Sequence, residues 1–369
     1  MKTKQQLSVF SFFSGSGLLD LAFEKHGYSV CFVNEYFKPF VDAYKYSREK
    51  LKIAPPKYGH FDCPIDDFLE KDLSQLKGFV EKEKSTGALV GFIGGPPCPD
   101  FSVGGKNRGK EGVNGRLSQS YIDLVYKTEP DWFLFENVKG LWRTKKHREF
   151  YEKIKVEISK KYHVTERLIN SIEAGCPQDR DRILMFGVLK KNVKKATLDW
   201  NAGLPFPNRT AFEDYSWVDT TPFSENSKLA KPNNIPVELT VQHWFDANDV
   251  ENHPNQIDCF KPRQGLAKFQ TVLEGDVSRK SSKRVHRWRY SPTAAYGNNE
   301  VHLHPYKARR LTVAEALSIQ SMPKNFVLPP DMSLTNKFKT IGNGVPFLLG
   351  SHIATVISDF LLQNKIEKA

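Results

Sequence analysis

The sequence predicts an open α/β fold, in which a mostly parallel sheet covered by helices is joined to a smaller lobe of irregular structure. Short apolar runs rich in Val, Ile and Phe recur through the first half of the chain, and Gly, Pro or charged residues bound each run. Segments with the apolar spacing of helices lie between these runs. Such alternation is typical of buried parallel strands. The length of 369 residues exceeds the usual single domain and leaves room for a second lobe.

The elements of the larger domain follow one another in a regular order. We predict strands at 7–13, 28–34, 88–95, 131–137 and 182–189. Helical patterns occur at 18–27, 39–52, 118–127 and 148–162. A further helical pattern at 309–322 and an apolar helix within 341–364 bring the chain back onto the first domain.

The alternation of predicted strands and helices stops after about residue 190, and a helical pattern returns near residue 305. Between these positions Pro, Asn, Trp and charged residues dominate. We therefore predict a larger domain over 1–189, completed by the C-terminal segment 335–369. The second domain with its return helix covers 190–334, and two such lobes predict a cleft.

The composition favours a polyanionic partner. Lys and Arg number 54 against 42 Asp and Glu, a net charge of +12, although ribosomal or membrane-surface binding would fit this charge equally well. No stretch approaches the roughly 18 to 20 apolar residues of a membrane span. The five cysteines are far apart without a C-x-x-C pair, which argues against a disulfide framework or zinc cluster and for a reducing cytoplasm.

A glycine loop between the first strand and the first helix predicts a ligand site. In FFSGSGLLDLAF (12–23), Gly15 and Gly17 lack a β-carbon, so a ligand can approach the backbone. Asp20 stands where a dinucleotide fingerprint places its third Gly, which argues against a bound pyrophosphate. Glu35, at the end of the second strand, is placed to accept hydrogen bonds from both ribose hydroxyls. A nucleoside without phosphates fits best.

S-adenosylmethionine is a ligand of this kind. Asp62, after the next strand segment, is placed to accept a hydrogen bond from the adenine amino group. Phe13 and Tyr36 are placed to pack against the adenine and the methionine arm. The alternative is that Glu35 and Asp62 are merely solvated loop carboxylates.

The loop GGPPCPDFS (94–102) presents a cysteine at the end of a predicted strand. Pro97 and Pro99 have fixed φ angles, which stiffen the loop and aim the thiol of Cys98. A thiol held in this way suits nucleophilic catalysis. The alternative is a buried structural cysteine, the commonest environment of a lone Cys.

A candidate acid lies at the end of the apolar strand FLFENV (133–138). A dry pocket there would raise the pKa of Glu136, and Asn137 can fix the turn behind it. The alternative is a carboxylate that caps a helix.

Gln178, Arg180 and Arg182 alternate in QDRDR (178–182), so on an extended segment they share one face. Such a face can orient Glu136 and a bound base through charge-assisted hydrogen bonds. Arginines before a strand are otherwise often solvated.

Six short motifs occur in order along the chain: FSGSG, PPC, ENV, Q-x-R-x-R, RRLT-x-x-E-A and GN-x-V. Together they resemble motifs I, IV, VI, VIII, IX and X of the cytosine-5 DNA methyltransferases, and they cover nearly the whole chain outside the second lobe. The resemblance implies a Rossmann-like, S-adenosylmethionine-dependent catalytic domain. It also implies a smaller target-recognition domain between motifs VIII and IX, and a cleft for duplex DNA.

The resemblance further implies roles for individual residues. Cys98 is the nucleophile that adds to carbon 6 of a flipped cytosine, Glu136 protonates nitrogen 3, and Arg180 and Arg182 support the base. The cofactor S-adenosylmethionine leaves as S-adenosylhomocysteine, and the reaction requires no metal. The implied cofactor site comprises Phe13, Ser14, Gly15, Ser16, Gly17, Leu18, Glu35, Tyr36, Asp62, Cys63, Pro96, Asn343 and Val345.

The chain departs from the family pattern at two positions. Pro99 follows the nucleophile where the family usually has Gln, and Leu18 stands at the last Gly of the G-x-G-G in motif I. Neither departure removes a group from the chemistry, but both concern loop closure and insertion of the base. We interpret the H-x-H pair His302 and His304 as incidental.

A basic run in the second lobe, RKSSKRVHRWRY (279–290), has six Lys or Arg residues in its first eleven positions. Such a run can neutralise phosphates and stack on bases, so Arg284, Arg287 and Arg289 are predicted to bind DNA. The alternative is a solvated face without a partner.

These features predict a DNA (cytosine-5-)-methyltransferase that modifies a specific cytosine in duplex DNA. We expect a bacterial or phage enzyme of a restriction-modification system, monomeric and cytoplasmic, with a cognate endonuclease acting on the same site. One alternative is the tRNA branch of the same family, which shares the Cys and Glu chemistry. Another is an inactive DNA-binding scaffold, which would need neither Cys98, Glu136 nor the glycine loop.

Overall fold

The computed structural model describes residues 5–97, 113–143, 145–193, 197–262, 265–279, 281–294, 296 and 302–364. Seven strands form one sheet: β1 (Leu7–Phe12), β2 (Ser29–Asn34), β3 (His60–Phe61), β4 (Leu89–Gly94), β5 (Trp132–Val138), β6 (Tyr162–Asn170) and β7 (Asp181–Leu189). Their order in the sheet is β3-β2-β1-β4-β5-β7-β6. The first five in this order run parallel, whereas β7 is antiparallel to both β5 and β6.

The five predicted strands are confirmed to within one residue at each end, and the mostly parallel α/β sheet is confirmed with them. Strand β6 was missed, and β3 was anticipated only as a strand segment without bounds before Asp62. β3 has only two residues, too few for a periodic pattern. β6 forms one edge of the sheet and is mostly half-buried, so its sequence YHVTERLIN lacks the apolar run of a central strand.

Strand β1 shows why the central strands are apolar throughout. Leu7 and Val9 point into the core that packs against the C-terminal helix. Phe10 and Phe12 point into the opposite core, where their rings contact Phe92 at centroid distances of 5.4 and 5.0 Å. Burial of each ring stabilises the fold by roughly 1.5 to 3 kcal/mol.

Helices cover both faces of the sheet and extend into the second lobe. In chain order they are α1 (Leu18–Lys25), α2 (Lys38–Lys50), α3 (Ile65–Glu70), α4 (Leu73–Ser85), α5 (Val113–Thr128), α6 (Gly140–Arg143), α7 (Lys145–Ile158), α8 (Thr210–Glu213), α9 (Val241–Ala247), α10 (Leu266–Phe269), α11 (Val313–Ile319), α12 (Leu334–Asn343) and α13 (Phe347–Gln363). The helical patterns predicted in the larger domain correspond to α1, α2, α5 and α7.

The C-terminal helix α13 packs in the core on one face of the seven-stranded sheet. Leu349, Ile353 and Ile357 are buried in the same core as Val9, and the hydroxyl of Tyr28 donates to the Ala354 carbonyl at 2.8 Å. The combined region Leu334–Gln363 is apolar and long enough to cross a membrane by composition alone. We read it as a core helix, because it breaks between α12 and α13 and 56% of its most apolar 18-residue stretch is buried.

The second lobe contains short elements, including the parallel pair β8 (Lys283–Arg284) and β9 (His302–Leu303). Helix α11 joins this lobe to the larger domain. Ala314 and Ile319 on one side of α11 pack with residues of the second lobe. Ala316 and Leu317 pack in a core that includes Leu21 of α1. The predicted return helix therefore touches both lobes.

Candidate active site

The loop between β1 and α1 has three residues with positive φ: Phe13 at 54°, Gly15 at 58° and Gly17 at 75°. A β-carbon on Gly17 would lie 2.4 Å from the Tyr44 ring and 2.7 Å from the Arg48 guanidinium. Glycine is therefore required there by both conformation and space. For Phe13, the left-handed conformation costs on the order of 1 kcal/mol, a strain typical of ligand loops.

Glu35 lies directly beside this loop. Its Oε2 accepts a hydrogen bond from the Gly15 backbone N–H at 2.8 Å, and its Oε1 accepts one from the Phe37 N–H at 2.8 Å. Burial raises the pKa of Glu35, and the two N–H donors act against that rise. A carboxylate has about four acceptor positions, so both oxygens keep capacity for ribose hydroxyls. The fixed orientation of Glu35 suits a nucleoside.

The segment of motif X is held against the same loop. The Thr340 hydroxyl donates to the Ser16 hydroxyl at 2.8 Å. Gly344 lies so close to Leu18 that a β-carbon there would be 2.4 Å from the Leu18 side chain. Val345 is buried in the core beside the loop, and Asn343 is exposed. Two segments more than 300 residues apart in the chain thus form one edge of the candidate cofactor site.

The remaining predicted cofactor residues lie at the carboxyl ends of neighbouring strands. The Asn34 side chain donates to the Cys63 carbonyl at 2.8 Å, which fixes the segment after β3 beside the end of β2. Pro96 is buried after β4. Tyr36 and Asp62 are exposed, so their contacts with the adenine or the methionine arm stay predictions.

Beneath the glycine loop, Arg48 of α2 makes contacts that the sequence did not reveal. Its Nη2 donates to the Gly17 carbonyl at 2.7 Å, and its Nε lies 2.8 Å from Glu24 Oε2. The guanidinium also stacks over the Tyr44 ring at 4.2 Å. Arg48 and Gly17 are 31 residues apart, and no local pattern marks their contact.

Glu136 lies in β5 and is 7% exposed. Its Oε1 is 2.6 Å from Nε of Arg182, which stands on the neighbouring strand β7. A β-carbon on Gly95 would be only 2.8 Å from Glu136 Oε2, so the absent side chain leaves space beside the carboxyl group. Burial raises the pKa of Glu136, whereas the charges of Arg182 and Arg180 lower it, and burial is the larger effect. Such a carboxyl group keeps its proton at higher pH than an ordinary Glu.

Arg180 is fully buried and bonds mainly to backbone. Its guanidinium donates to the carbonyls of Gly342 at 2.6 Å, Gly344 at 2.9 Å and Ala294 at 3.2 Å. It also donates to Gln178 Oε1 at 3.3 Å. These donors hold the motif X segment and Ala294 of the second lobe, and support of the base by Arg180 stays a prediction. Arg182 is the arginine that lies against Glu136.

Cys98 and Pro99 lie outside the described residues, but the segment that leads to them does not. Strand β4 ends at Gly94, next to β5 in the sheet. The Asn137 side chain donates to the Pro96 carbonyl at 3.4 Å, and its Oδ1 accepts from the Val138 N–H at 2.8 Å. The chain thus reaches position 97 close to the carboxyl end of β5, and Asn137 fixes the turn there.

The glycine loop with Glu35, and the buried Glu136 with Arg182, thus lie at one edge of a Rossmann-like sheet. The family model of the C-5 cytosine-specific DNA methylases matches residues 7–359. The chain belongs to this family. This chain is 54% identical to the type II methyltransferase M.NmeDI of Neisseria meningitidis serogroup C, over 99% of this chain and 86% of that protein. It is 27% identical to M.FnuDI of Fusobacterium nucleatum, over 98% and 97% of the two chains.

Solved structures share the fold of the methyltransferase. A DNA modification methyltransferase encoded within an E. coli prophage superposes with a TM-score of 0.68 at 20% identity, covering 97% of this chain and all of that one. A Spodoptera frugiperda DNMT2 variant superposes with a TM-score of 0.59 at 15% identity, over 96% of this chain and all of that one. These likenesses confirm the predicted fold class.

Two of the three arginines predicted to bind DNA are internal to the second lobe of the methyltransferase. Arg284 is 0% exposed, and its guanidinium donates to four carbonyls, those of Val272, Lys307, His304 and Phe269. Phosphate binding by this side chain is incompatible with its burial. The sequence could not show this, because a dense run of charges looks the same whether its side chains point inward or outward.

Arg287 is 4% exposed and forms an ion pair with Glu274 at 2.7 Å, so its predicted role in phosphate binding is also wrong. The Arg289 side chain is 27% exposed and lies 3.9 Å from the exposed carboxylate of Asp219. Arg289 is the only one of the three that can still face DNA.

His302 and His304 are buried in the second lobe. Burial lowers the pKa of His302 to about 3, so this imidazole is neutral at physiological pH. His304 Nε2 lies 3.5 Å from Glu315 Oε1. In the described part of the chain, no group of three or more His, Cys, Asp or Glu side chains is placed to hold a metal ion.

Proposed function

We propose that this C-5 cytosine-specific DNA methylase works by covalent catalysis on a cytosine turned out of duplex DNA, with Cys98 as the nucleophile and Glu136 as the acid. The observation that carries the proposal is the buried Glu136–Arg182 pair at 2.6 Å, beside the segment that leads to Cys98. A carboxyl group with a raised pKa can hold the proton that nitrogen 3 needs when a thiolate adds to carbon 6.

The proposed reaction begins with the Cys98 thiolate and ends with its release from the methylated base. The Cys98 thiolate forms a bond to carbon 6, and Glu136 gives its proton to nitrogen 3 as electron density moves to carbon 5. S-adenosylmethionine, the cofactor of this family, supplies the methyl group that carbon 5 accepts and leaves as S-adenosylhomocysteine. Loss of the carbon 5 proton to a base then expels the thiolate from carbon 6, and nitrogen 3 returns its proton to Glu136.

The described residues fit S-adenosylmethionine in two respects. Gly17 has no room for a side chain, so the backbone of the loop stays open to a ligand. Glu35, fixed by the N–H groups of Gly15 and Phe37, would accept the ribose hydroxyls. We assign the motif X residues Asn343 and Val345 to the same pocket, because Arg180 and Thr340 hold their segment there.

We further infer a modification enzyme of a restriction-modification system, a role named by the type II relatives. A partner endonuclease, a monomeric state and action on DNA in the bacterial cytoplasm belong to this proposal. The reaction needs no second subunit and no metal.

Two linked experiments test the chemistry. Bisulfite sequencing of a plasmid propagated with the gene should reveal one methylated cytosine context, which defines the target. A duplex with 5-fluorocytosine at that position should then trap the enzyme in the presence of S-adenosylmethionine, because fluorine cannot leave carbon 5 as a proton would. We expect the crosslinked peptide to contain Cys98.

The matched control is another cysteine. Cys98→Ser should form no adduct, because a hydroxyl is far less ionised than a thiol, whereas Cys259→Ser should trap like the parent. An adduct that persists in Cys98→Ser would contradict the assignment. Trapping on RNA but never on duplex DNA would favour the tRNA branch, and absence of any methylation would favour the inactive scaffold.

A further inference from the structure

A second basic segment, KGLWRTKKHR (139–148), follows strand β5 without an interruption. It has five Lys or Arg residues and no acidic residue. Strand β5 carries Glu136, so this segment leaves the sheet at the edge where the base must bind. We call it the 139–148 segment.

The 139–148 segment begins beside the catalytic pair. Lys139 Nζ lies 2.8 Å from Asp181 Oδ2, and Asp181 precedes Arg182 on β7. Within the segment, Gly140–Arg143 forms α6 and residues 145–148 form the first turn of α7, with the His147 ring nitrogen 3.4 Å from the Gly140 carbonyl oxygen. Folding thus holds these charges at the edge of the active site.

Three cations of this segment differ in exposure and partners from the buried Arg284 and Arg287 of the second lobe. Arg143, Lys145 and Arg148 are exposed. In the described ranges of the chain no carboxylate lies within 4.0 Å of their charged nitrogens. Arg148 packs over the Trp142 ring at 5.8 Å, which leaves its charge available to solvent. Among the described residues, these three side chains therefore lack a carboxylate partner.

We propose that the 139–148 segment binds the phosphate backbone of the DNA that flanks the flipped cytosine. This inference rests on the proposed function, since a base that reaches Glu136 brings its neighbouring phosphates to this edge. Duplex DNA carries about one negative charge per 1.7 Å of its axis, so exposed cations there meet several phosphates. Contacts of this kind position DNA without reading its sequence.

The test uses a charge-matched pair of triple variants. Arg143→Ala/Lys145→Ala/Arg148→Ala removes three cations of the segment. Lys25→Ala/Lys50→Ala/Lys82→Ala removes three exposed cations from the last turns of α1, α2 and α4, which lead back to the opposite edge of the sheet. Both variants lower the net charge equally, so any difference between their DNA-binding slopes is due to the position of the removed charges.

Fluorescence anisotropy with a labelled duplex, titrated at salt concentrations from about 50 to 200 mM, gives the slope of log affinity against log salt. We expect the slope of the first variant to decrease by about 0.9 for each phosphate that the variant no longer binds, on every DNA sequence alike. The control variant should keep nearly the parent slope. Calorimetry should show unchanged S-adenosylmethionine affinity in both, and Arg143→Lys/Arg148→Lys should keep the parent slope.

Equal slopes for the two triple variants would overturn the proposal, as would weakening on RNA alone. The result is separable from the proposed function, because binding can be measured in the Cys98→Ser background. If the parent enzyme methylates DNA and the first triple variant keeps the parent salt slope, only the phosphate assignment is contradicted. If the first triple variant has a reduced slope but the parent enzyme does not methylate DNA, only the proposed catalytic function is contradicted.

Discussion

Two buried carboxylate–arginine pairs in this protein have similar distances and different surroundings. In the second lobe, Glu274 Oε1 accepts from the Arg287 backbone N–H at 2.9 Å and from its Nε at 2.8 Å, and Oε2 accepts from Nη2 at 2.7 Å. At the active-site edge, Arg182 contacts one oxygen of Glu136, at 2.6 Å, and Gly95 leaves space beside the other.

The difference separates a structural pair from a chemical one. Both oxygens of Glu274 accept hydrogen bonds from Arg287. Glu136 is buried with one oxygen paired, and burial raises its pKa. The fully bonded pair joins two segments of the lobe, whereas a buried carboxyl group with one oxygen paired is suited to proton transfer.

The largest effect is expected for Glu136→Gln. The amide can still donate a hydrogen bond but cannot transfer a proton, so single-turnover methylation should fall by about 10²- to 10⁴-fold. DNA and cofactor affinities should stay near those of the parent. Turnover within a factor of two of the parent would remove Glu136 from the role of acid.

The pH dependence tests the same contrast. Because burial raises the folded pKa of Glu136, its acid form persists above the range of an ordinary Glu and is lost as pH rises through that pKa. The methylation rate should therefore show a decline on the alkaline side that is missing in Glu136→Gln. Rate profiles of identical shape in both proteins would contradict this reading.

Next in size is Arg287→Ala, which leaves the buried Glu274 carboxylate without its partner. We expect a loss of about 3 to 5 kcal/mol in the free energy of unfolding, measured with urea. The rate per folded molecule should be nearly unchanged. The control Glu274→Gln/Arg287→Met removes both charges and should recover much of the stability, and a double variant as unstable as Arg287→Ala would argue against the pair as the cause.

A third carboxylate, Glu35, should give a smaller loss confined to cofactor binding. Glu35→Ala removes a charged acceptor and should weaken S-adenosylmethionine binding by about 1.5 to 3 kcal/mol in calorimetry. Glu35→Gln keeps an acceptor oxygen and should lose less. Unchanged affinity in a folded Glu35→Ala variant would exclude Glu35 from the ribose site.

The smallest effect is expected for Arg289→Ala. This side chain is partly exposed and lies 3.9 Å from an exposed Asp219 carboxylate, so its ion pair contributes little, and stability should change by less than about 0.5 kcal/mol. If Arg289 faces DNA, the salt slope of binding should decrease by about one unit at most. An unchanged slope would remove the last of the three arginines predicted to bind DNA.

The local parts of this protein were predictable from sequence. Neighbouring residues and hydrophobic periodicity determine the strands, the glycine loop and the placement of Glu136 at the end of β5. The sequence pattern therefore predicted all three. Motif order then indicated the chemistry, which the family match confirms at the level of the enzyme class. Strand β6 was not predicted, because an edge strand need not be apolar.

The role of each arginine depends on contacts between distant parts of the chain. Arg180 bonds to carbonyls 162 and 164 residues away, and Arg284 bonds to carbonyls on several separate loops. A guanidinium has five donors, and whether they meet protein carbonyls or DNA phosphates depends on which distant segments folding brings to it. The order of residues alone establishes where charges and glycines occur, whereas the fold establishes which charges remain at the surface, because burial is a property of the packed chain.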